Sequence, residues 1–218
     1  MREAQARCPI RVRRAMPARV DAAEGRMSEA RRQEWGLEAF LAWEADQPQR
    51  WELIDGRPRL MTGGTQAHDL IAVNITAALR QRLRGSPCRP GGSDLRLVTG
   101  NGNVRYPDAL IDCGPLRPES HEASEPAVVF EVLSRSTAWI DLHAKLRDYD
   151  ATPGTRLYVV VAPDTPWVAV WTRDPSGRLA VAAALAEPDA VLALDPVPAA
   201  LPLAGIYEGL SFPAPVAA

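Results

Sequence analysis

The sequence predicts an α/β domain in which helices flank a mixed β-sheet. Three observations indicate this fold class. An Asp-Gly pair at residues 55–56 separates two short runs of alternating polar and apolar residues. Apolar residues then recur at helical spacing between residues 66 and 84. Two almost continuous apolar runs follow at 127–133 and 157–162, and such runs are typical of central strands that are covered on both faces.

The predicted elements follow from local signals. Asp-Gly is the strongest hairpin signal because a type I′ turn needs positive φ at both positions. Ser136 or Thr137 can cap the helix that follows the first apolar run. The N-terminal half is predicted to contain a helix at Trp35–Asp46, hairpin strands Arg50–Ile54 and Arg57–Met61, a helix at Gln66–Arg84, a loop at Gly85–Gly92, and strands Asp94–Val98 and Val104–Asp112. The C-terminal half is predicted to contain strand Ala127–Leu133, a helix to Tyr149, strands Leu157–Ala162, Trp167–Thr172 and Arg178–Leu185, and a short helix near Ile206.

The chain length predicts one domain, which we place at residues 27–212, with a short tail at 213–218. Residues 1–26 contain seven Arg and three acids, a net charge of +4, so the remaining chain carries about −6 of the total of −2. This segment is expected to be a disordered basic arm, an extension upstream of a true start at Met27, or a cleaved targeting peptide. The acidic balance of the body is not typical of a nucleic-acid-binding surface.

Cysteine usage and hydropathy indicate a cytoplasmic protein. The three cysteines, Cys8, Cys88 and Cys113, form no CxxC pair and no even set. That pattern argues against a disulfide scaffold and against a structural zinc site. We see no apolar run of about 20 residues, the length that a membrane span needs, and no apolar segment typical of a signal peptide after the basic start.

Lysine usage gives a sharper signal. Of the 25 basic residues, 24 are Arg, and Lys145 is the single Lys. A compact ammonium with a tunable pKa differs from a planar guanidinium that is always charged, so the exception can mark a site where Arg does not serve. The alternative is chance under a strong coding bias. Asp141 and Lys145 also form an i,i+4 pair of the kind that stabilises an exposed helix.

Two acids within apolar strands need a partner. Glu131 lies in the run 127–133 and shares a strand face with Val129, and Asp108 lies in the segment 104–110. Burying an unpaired carboxylate costs roughly several kcal/mol. A divalent cation would compensate for both, and so would an Arg partner or a strand-end cap.

These residues occur in a recognisable order. The stretch from Trp51 to Gly56 is followed by His68, Tyr106-Pro107-Asp108, the run Glu131-Val132-Leu133-Ser134-Arg135-Ser136-Thr137, Asp141 and Lys145. In order and spacing, the chain resembles the Uma2 family, also called DUF820, over roughly Leu37 to Trp171, with a looser similarity at Leu201–Phe212. That family is similar to the PD-(D/E)xK nuclease superfamily, so the resemblance implies a restriction-endonuclease-like core.

The resemblance also implies roles. Asp108 would be the motif acid, Glu131 the second metal ligand, and the Val132 carbonyl a third oxygen. Glu52 would complete the site, although it could instead pair with Arg57 or Arg59 across its hairpin. The superfamily places a Lys two residues after the second acid, where this chain has Leu133, so Lys145 on the following helix would take that role. His68 would be a helper near the metal or a hydrogen-bonded packing residue.

The implied activity is hydrolysis of phosphodiesters with Mg²⁺ or Mn²⁺, as in a DNA endonuclease. Symmetric cutting of duplex DNA would favour a homodimer. Two alternatives remain. One is a catalytically silent dimeric domain that binds nucleic acid or a partner, and the other is a hydrolase of small phosphate esters, which needs no basic groove.

Overall fold

The computed structural model describes residues 34–134 and 138–212, which contain four helices and twelve strands. The helices are α1 Leu37–Glu44, α2 Gln66–Arg82, α3 Ala138–Asp150 and α4 Leu203–Ile206. The strands are β1 Trp51–Ile54, β2 Arg57–Leu60, β3 Arg89–Gly92, β4 Leu97–Val98, β5 Val104–Arg105, β6 Ala109–Asp112, β7 Pro126–Val132, β8 Leu157–Val161, β9 Val168–Arg173, β10 Leu179–Leu185, β11 Val191–Ala193 and β12 Ala200–Pro202. Within these residues, no helix is both long and apolar enough to cross a membrane.

The strands form a mixed architecture, as the sequence predicts. The main sheet has six strands in the order β10-β9-β8-β7-β6-β3. Strands β7 and β8 are parallel, and the other neighbours in this sheet are antiparallel. A second sheet has the order β2-β1-β5-β4, and β11 pairs with β12. The helices and the mixed sheet confirm the predicted α/β class.

Both faces of the main sheet are covered, which explains the continuous apolar runs of β7 and β8. On one face, Ile71 and Ile75 of α2 pack with Val128 and Phe130 of β7. The other face is covered by a second cluster, which includes Val129, Leu142, Tyr149, Tyr158 and Val160. Because side chains alternate along a strand, Glu131 of β7 lies on the same face as Val129. The acid therefore faces the α3 side of the sheet.

The second sheet begins with the predicted hairpin. Asp55 and Gly56 have φ angles of 48° and 72°, which confirms the expected turn with two positive φ values. The hairpin strands pair in register, with Trp51 opposite Leu60. Trp51 packs with Phe40 of α1 and with other apolar side chains of this sheet. The small sheet thus has a core of its own, next to the main sheet.

The predicted strand Val104–Asp112 is divided between the two sheets. Strand β5 pairs with β1 and β4, whereas β6 pairs with β3 and β7. Pro107 lies between β5 and β6 and has no backbone N–H to donate to a strand ladder, so it favours a break there. The segment Tyr106–Asp108 therefore crosses from one sheet to the other, and Asp108 lies at their junction.

Several other boundaries differ from the predictions. The predicted loop Gly85–Gly92 contains β3, because pairing with β6 outweighs the low strand propensity of its Pro and Gly residues. The predicted strand Asp94–Val98 is reduced to β4, and the short pair β11 and β12 was not predicted. The proposed capping residues Ser136 and Thr137 lie outside the described residues, as do the arm at 1–26 and the tail at 213–218.

The expectation against disulfides is wrong for one pair. Cys88 and Cys113 are bonded, with a sulfur–sulfur distance of 2.04 Å. Cys88 precedes β3 and Cys113 follows β6, and the antiparallel register places Arg89 opposite Asp112. Extending that register by one residue places the two cysteines opposite each other. The two cysteines are 25 residues apart, so no local sequence pattern indicates that they pair. The segment of β3 was also predicted to be a loop, so its pairing with β6 was not expected.

Candidate active site

A cleft of about 250 Å³ lies near the junction of the two sheets. The side chains that the sequence singles out all line it: Glu52, His68, Asp108, Glu131 and Lys145. Val132 lines it as well. These residues come from β1, α2, the crossover before β6, β7 and α3. The structure therefore brings together residues that are up to 93 positions apart in the chain.

Strand register brings the two central acids together. In the antiparallel pair β6 and β7, Ala109 lies opposite Phe130. Continuing that register by one residue places Asp108 opposite Glu131, and directly opposed Cβ atoms in such pairs are about 4.5–5.5 Å apart. The Val132 backbone N–H donates to Asp108 Oδ2 at 2.7 Å. This hydrogen bond fixes the Asp108 carboxylate against the end of β7.

Glu131 is buried and contacts two donors. Only 3 % of the residue is exposed. Lys145 Nζ donates to Oε2 at 2.6 Å, and the Tyr149 hydroxyl donates to Oε1 at 2.5 Å. Burial raises the pKa of Glu131 to about 7, and the nearby Asp108 charge adds to this effect, whereas the Lys145 ammonium opposes it. A cation bound beside Glu131 would stabilise its ionised carboxylate and so oppose the effect of burial.

Lys145 reaches the cleft from α3. Its side chain is 21 % exposed, and its ammonium lies against the buried carboxylate of Glu131. Burial alone would lower the pKa of Lys145, but the carboxylates of Glu131, Glu52 and Asp108 together outweigh burial and raise it. The alternative pairing with Asp141 involves a side chain outside the described part of the structure.

His68 contacts Asp108 from the first turn of α2. Thr65 caps this helix and accepts a hydrogen bond from the His68 backbone N–H at 3.3 Å. His68 Nε2 lies 3.3 Å from Asp108 Oδ2, and this hydrogen bond raises the pKa of His68. A Cβ at Gly64 would lie 2.8 Å from His68 Nδ1. The imidazole is thus held between Asp108 and a glycine backbone that leaves room for it.

Glu52 lines the cleft, but its carboxylate faces an arginine from another strand. Arg105 Nη1 donates to Glu52 Oε2 at 3.0 Å, and the Tyr106 backbone N–H donates to Oε1 at 3.3 Å. Arg59 lies opposite Glu52 in the hairpin register. Glu52 forms an ion pair with Arg105, a residue of β5 that lies outside the hairpin.

Arg105 joins Glu52 to helix α3, a connection that the sequence analysis missed. Its side chain is 1 % exposed, and it forms an ion pair with Asp148, which is fully buried. Asn101 and Asn103 each donate to Asp148 Oδ1 at 2.8 Å. The only available signal was an arginine flanked by Val104 and Tyr106 in an apolar strand. Tyr149 was missed too, although it lies one helical turn after Lys145 and so on the same face.

The donor set fits a hard divalent cation. Mg²⁺ binds through one or two carboxylates and completes its coordination with water and substrate oxygens. Asp108 and Glu131 supply two carboxylates at one cleft. Within residues 34–134 and 138–212, no group of three or more His, Cys, Asp and Glu side chains is placed to hold a metal ion. Two carboxylates at a cleft that is open to water are the kind of donors that an octahedral, partly hydrated divalent cation uses.

Comparison with known proteins identifies the family. The model of the Uma2 family, which carries the description "Putative restriction endonuclease", matches residues 37–204. This protein belongs to the Uma2 family. The matched range contains every residue of the cleft described above. The family description supports a nuclease-type function for this Uma2 protein at a coarse level, without specifying the metal or the substrate.

Two relatives extend this result. The "Uncharacterized protein slr1290" of Synechocystis sp. (strain ATCC 27184 / PCC 6803 / Kazusa) is 30 % identical over 142 residues, which cover 64 % of this chain and 75 % of that protein. A crystal structure described as "a putative nuclease belonging to DUF820" from Anabaena variabilis ATCC 29413 has a TM-score of 0.61. It is 18 % identical, and the match covers 79 % of this chain and 97 % of that one. At that identity, the structural similarity establishes the fold of this Uma2 protein.

Proposed function

We propose that this Uma2 protein is a metal-dependent phosphodiesterase that acts as a DNA endonuclease. One observation carries the proposal: the register of β6 and β7 opposes Asp108 and Glu131, and the single Lys of the chain contacts Glu131 in the same cleft. An acid pair with an adjacent ammonium is suited to bind a divalent cation and a phosphate together. The family description supports the same class of reaction.

The acids form the metal-binding part of the proposed site. Asp108 and Glu131 would hold Mg²⁺ or Mn²⁺, and the backbone carbonyl of Val132 would add a third oxygen. When bound, such an ion lowers the pKa of a water ligand and neutralises charge that develops on the phosphate. His68 donates to Asp108 and the Val132 N–H fixes the same carboxylate, so both residues orient Asp108 towards its ligand.

Lys145 provides the cation of the proposed site. Its ammonium would attract the scissile phosphate and orient the attacking water, which suits a compact group with three donors better than a planar guanidinium. Glu52 lies near Lys145, and its negative charge contributes to the raised pKa of this lysine. We therefore assign Glu52 to the catalytic set as the acid that keeps Lys145 protonated while its own carboxylate is held by Arg105.

DNA is the proposed substrate, and a homodimer is the proposed assembly. The body of the chain is acidic, so affinity for a polyanion would depend on local cations such as Arg59, which lines the cleft, and on the arm at 1–26 with its net charge of +4. A two-fold dimer would place two such clefts for cleavage of both strands.

The modest cleft and the acidic body favour one second candidate, the hydrolysis of small phosphate esters, which needs no extended basic surface. A catalytically silent dimeric domain that binds nucleic acid or a partner is the remaining alternative. It would leave the acid pair and Lys145 without a chemical role.

Cleavage assays distinguish these functions. Nicking of supercoiled plasmid and hydrolysis of bis-p-nitrophenyl phosphate should be measured during titration with Mg²⁺ and Mn²⁺. We expect metal-dependent nicking that is lost in Asp108→Asn. Hydrolysis of the small ester without plasmid nicking would favour the second candidate. If neither substrate is cleaved at any metal concentration, while the protein still binds DNA, the silent domain is the correct description.

A further inference from the structure

Helix α3 contributes two donors to one carboxylate. Lys145 and Tyr149 are four residues apart and therefore lie on the same face of the helix. Lys145 contacts Glu131 Oε2, and Tyr149 contacts Glu131 Oε1. The two oxygens of the acid are thus held by different side chains, and those side chains have different surroundings.

Tyr149 lies in the core, whereas Lys145 faces the cleft. Tyr149 is fully buried, and its ring packs on Tyr158 with 5.0 Å between the ring centroids. It belongs to the apolar cluster that covers one face of the main sheet. Lys145 lines the cleft and is partly exposed. A ligand that enters the cleft can therefore replace the ammonium on Oε2 without disturbing the packed tyrosine on Oε1.

We propose that Tyr149 is a positioning residue, which pins Glu131 through Oε1 and presents Oε2 to the cleft, and that Lys145 is an exchangeable partner that competes with a cation for Oε2. This inference rests on the proposed metal-dependent function. The two donors therefore have different tasks at the same carboxylate. Tyr149 holds the Glu131 carboxylate in place with or without a bound metal. Lys145 leaves Oε2 when a metal ion binds to that oxygen.

The two tasks predict opposite effects on metal affinity. Without the Tyr149 hydroxyl, a buried oxygen loses its donor and the carboxylate is free to turn away from the cleft. Loss of such an orienting partner typically weakens metal binding by about 10- to 100-fold. Without the Lys145 ammonium, a competing positive charge is removed from Oε2. Metal binding should then be unchanged or tighter.

The test compares Tyr149→Phe, Lys145→Met and a matched control, Tyr207→Phe. Tyr207 is also buried, and its hydroxyl donates to the Trp167 carbonyl at 2.8 Å, but it directly follows α4 and lies outside the cleft. Mn²⁺ affinity is measured by calorimetry on each folded protein. We expect about tenfold weaker binding or more in Tyr149→Phe, equal or tighter binding in Lys145→Met, and wild-type affinity in Tyr207→Phe. Wild-type affinity in Tyr149→Phe would overturn the positioning role while leaving the metal site intact.

A metal-free measurement separates this inference from the proposed function. In EDTA, Tyr149→Phe and Glu131→Leu are combined in a double-mutant cycle, and the coupling is measured as a change in the unfolding equilibrium constant. A hydrogen bond to a charged group predicts a coupling of about tenfold to a hundredfold. Absence of coupling would overturn the pinning of Glu131. If wild-type protein fails to bind Mn²⁺, the proposed function fails, and this cycle alone decides whether Tyr149 pins the acid.

Discussion

Two cations near Glu52, Arg105 and Lys145, have contrasting surroundings. Arg105 lies between Glu52 and Asp148 with 1 % of its side chain exposed, and its planar group contacts acids from two separate elements. Lys145 contacts Glu131 with 21 % of its side chain exposed, and it lines the cleft. Both are near Glu52, yet the first is enclosed by protein on all sides and the second faces the site where a ligand would bind.

The difference indicates that Arg105 has a structural role, whereas Lys145 has a role in the chemistry of the cleft. A guanidinium is always charged and bridges several carboxylates in a fixed geometry, which suits a permanent connection between the small sheet and α3. A lysine ammonium is compact and reorients easily, which suits a cation that must exchange partners. The chain uses Arg at 24 of its 25 basic positions, and its one Lys lies where the cation contacts Glu131 in the cleft.

The largest expected effect concerns the enclosed cation. Arg105→Met leaves Glu52 and the fully buried Asp148 without their shared partner, and breaking a buried ion pair in this way typically costs about 3–5 kcal/mol of unfolding free energy. Urea denaturation should show this loss. As a control, Arg50→Met removes an exposed pair with Asp94 and should change stability by less than about 1 kcal/mol. Equal effects of the two substitutions would contradict a structural role for Arg105.

The next effect concerns metal binding at the cleft. At about 100 times its Kd, Mn²⁺ should raise the unfolding free energy of the wild type by about 2.7 kcal/mol, because it binds only the folded state. Glu131→Gln should abolish this gain, whereas Glu122→Gln, which changes a half-exposed acid, should retain it. A thermal-shift titration measures both. If the gain persists in Glu131→Gln, the cation binds elsewhere.

Much of this arrangement could be predicted from local patterns. The Asp55-Gly56 turn, the periodicity of α2 and the apolar run of β7 are encoded in neighbouring residues, and they placed Glu131 within a buried strand. Lys145 was identified because it is unique in the composition. These signals suffice to nominate the acids and the lysine, since each is unusual in its own sequence context.

The rest depends on contacts between distant segments. Arg105 is one arginine among 24, and its importance follows from the burial of Asp148, 43 residues away. Tyr149 reads as an ordinary core residue until the fold places its hydroxyl on Glu131. The division of 104–112 between two sheets and the bond between Cys88 and Cys113 likewise depend on strand pairing. Tertiary packing decides such features, and local propensity does not.

A smaller effect on the cleavage rate is expected from substitutions at two adjacent glycines, Gly63 and Gly64. A Cβ at Gly64 would press against the His68 ring, whereas a Cβ at Gly63 meets nothing within 4 Å. Gly64→Ala should displace His68 from Asp108 and lower the cleavage rate by about tenfold, which corresponds to one hydrogen bond of about 1–1.5 kcal/mol. Gly63→Ala should be silent. Kinetics of both variants at saturating Mn²⁺ provide the check, and equal rates would exclude a role for His68 at Asp108.

The smallest effect is expected from the basic arm. Deletion of residues 1–26 should change the unfolding free energy by less than about 0.5 kcal/mol, because its composition is not typical of a packed segment. It should also reduce the salt dependence of DNA binding, since each lost phosphate contact lowers that slope by about one unit. Fluorescence anisotropy at several salt concentrations tests this prediction. A deletion protein that does not fold would show that the domain begins before residue 27.

The reciprocal exchange of the two cations tests the contrast between them most directly. Lys145→Arg and Arg105→Lys both preserve charge, and each is measured for unfolding free energy and for metal-dependent cleavage rate per folded molecule. We expect Lys145→Arg to keep its stability within about 1 kcal/mol and to lose about 10²- to 10⁴-fold in rate. Arg105→Lys should lose about 2 kcal/mol or more in stability and retain most of its rate. Full activity in Lys145→Arg would contradict the assignment of Lys145 to the chemistry of the cleft.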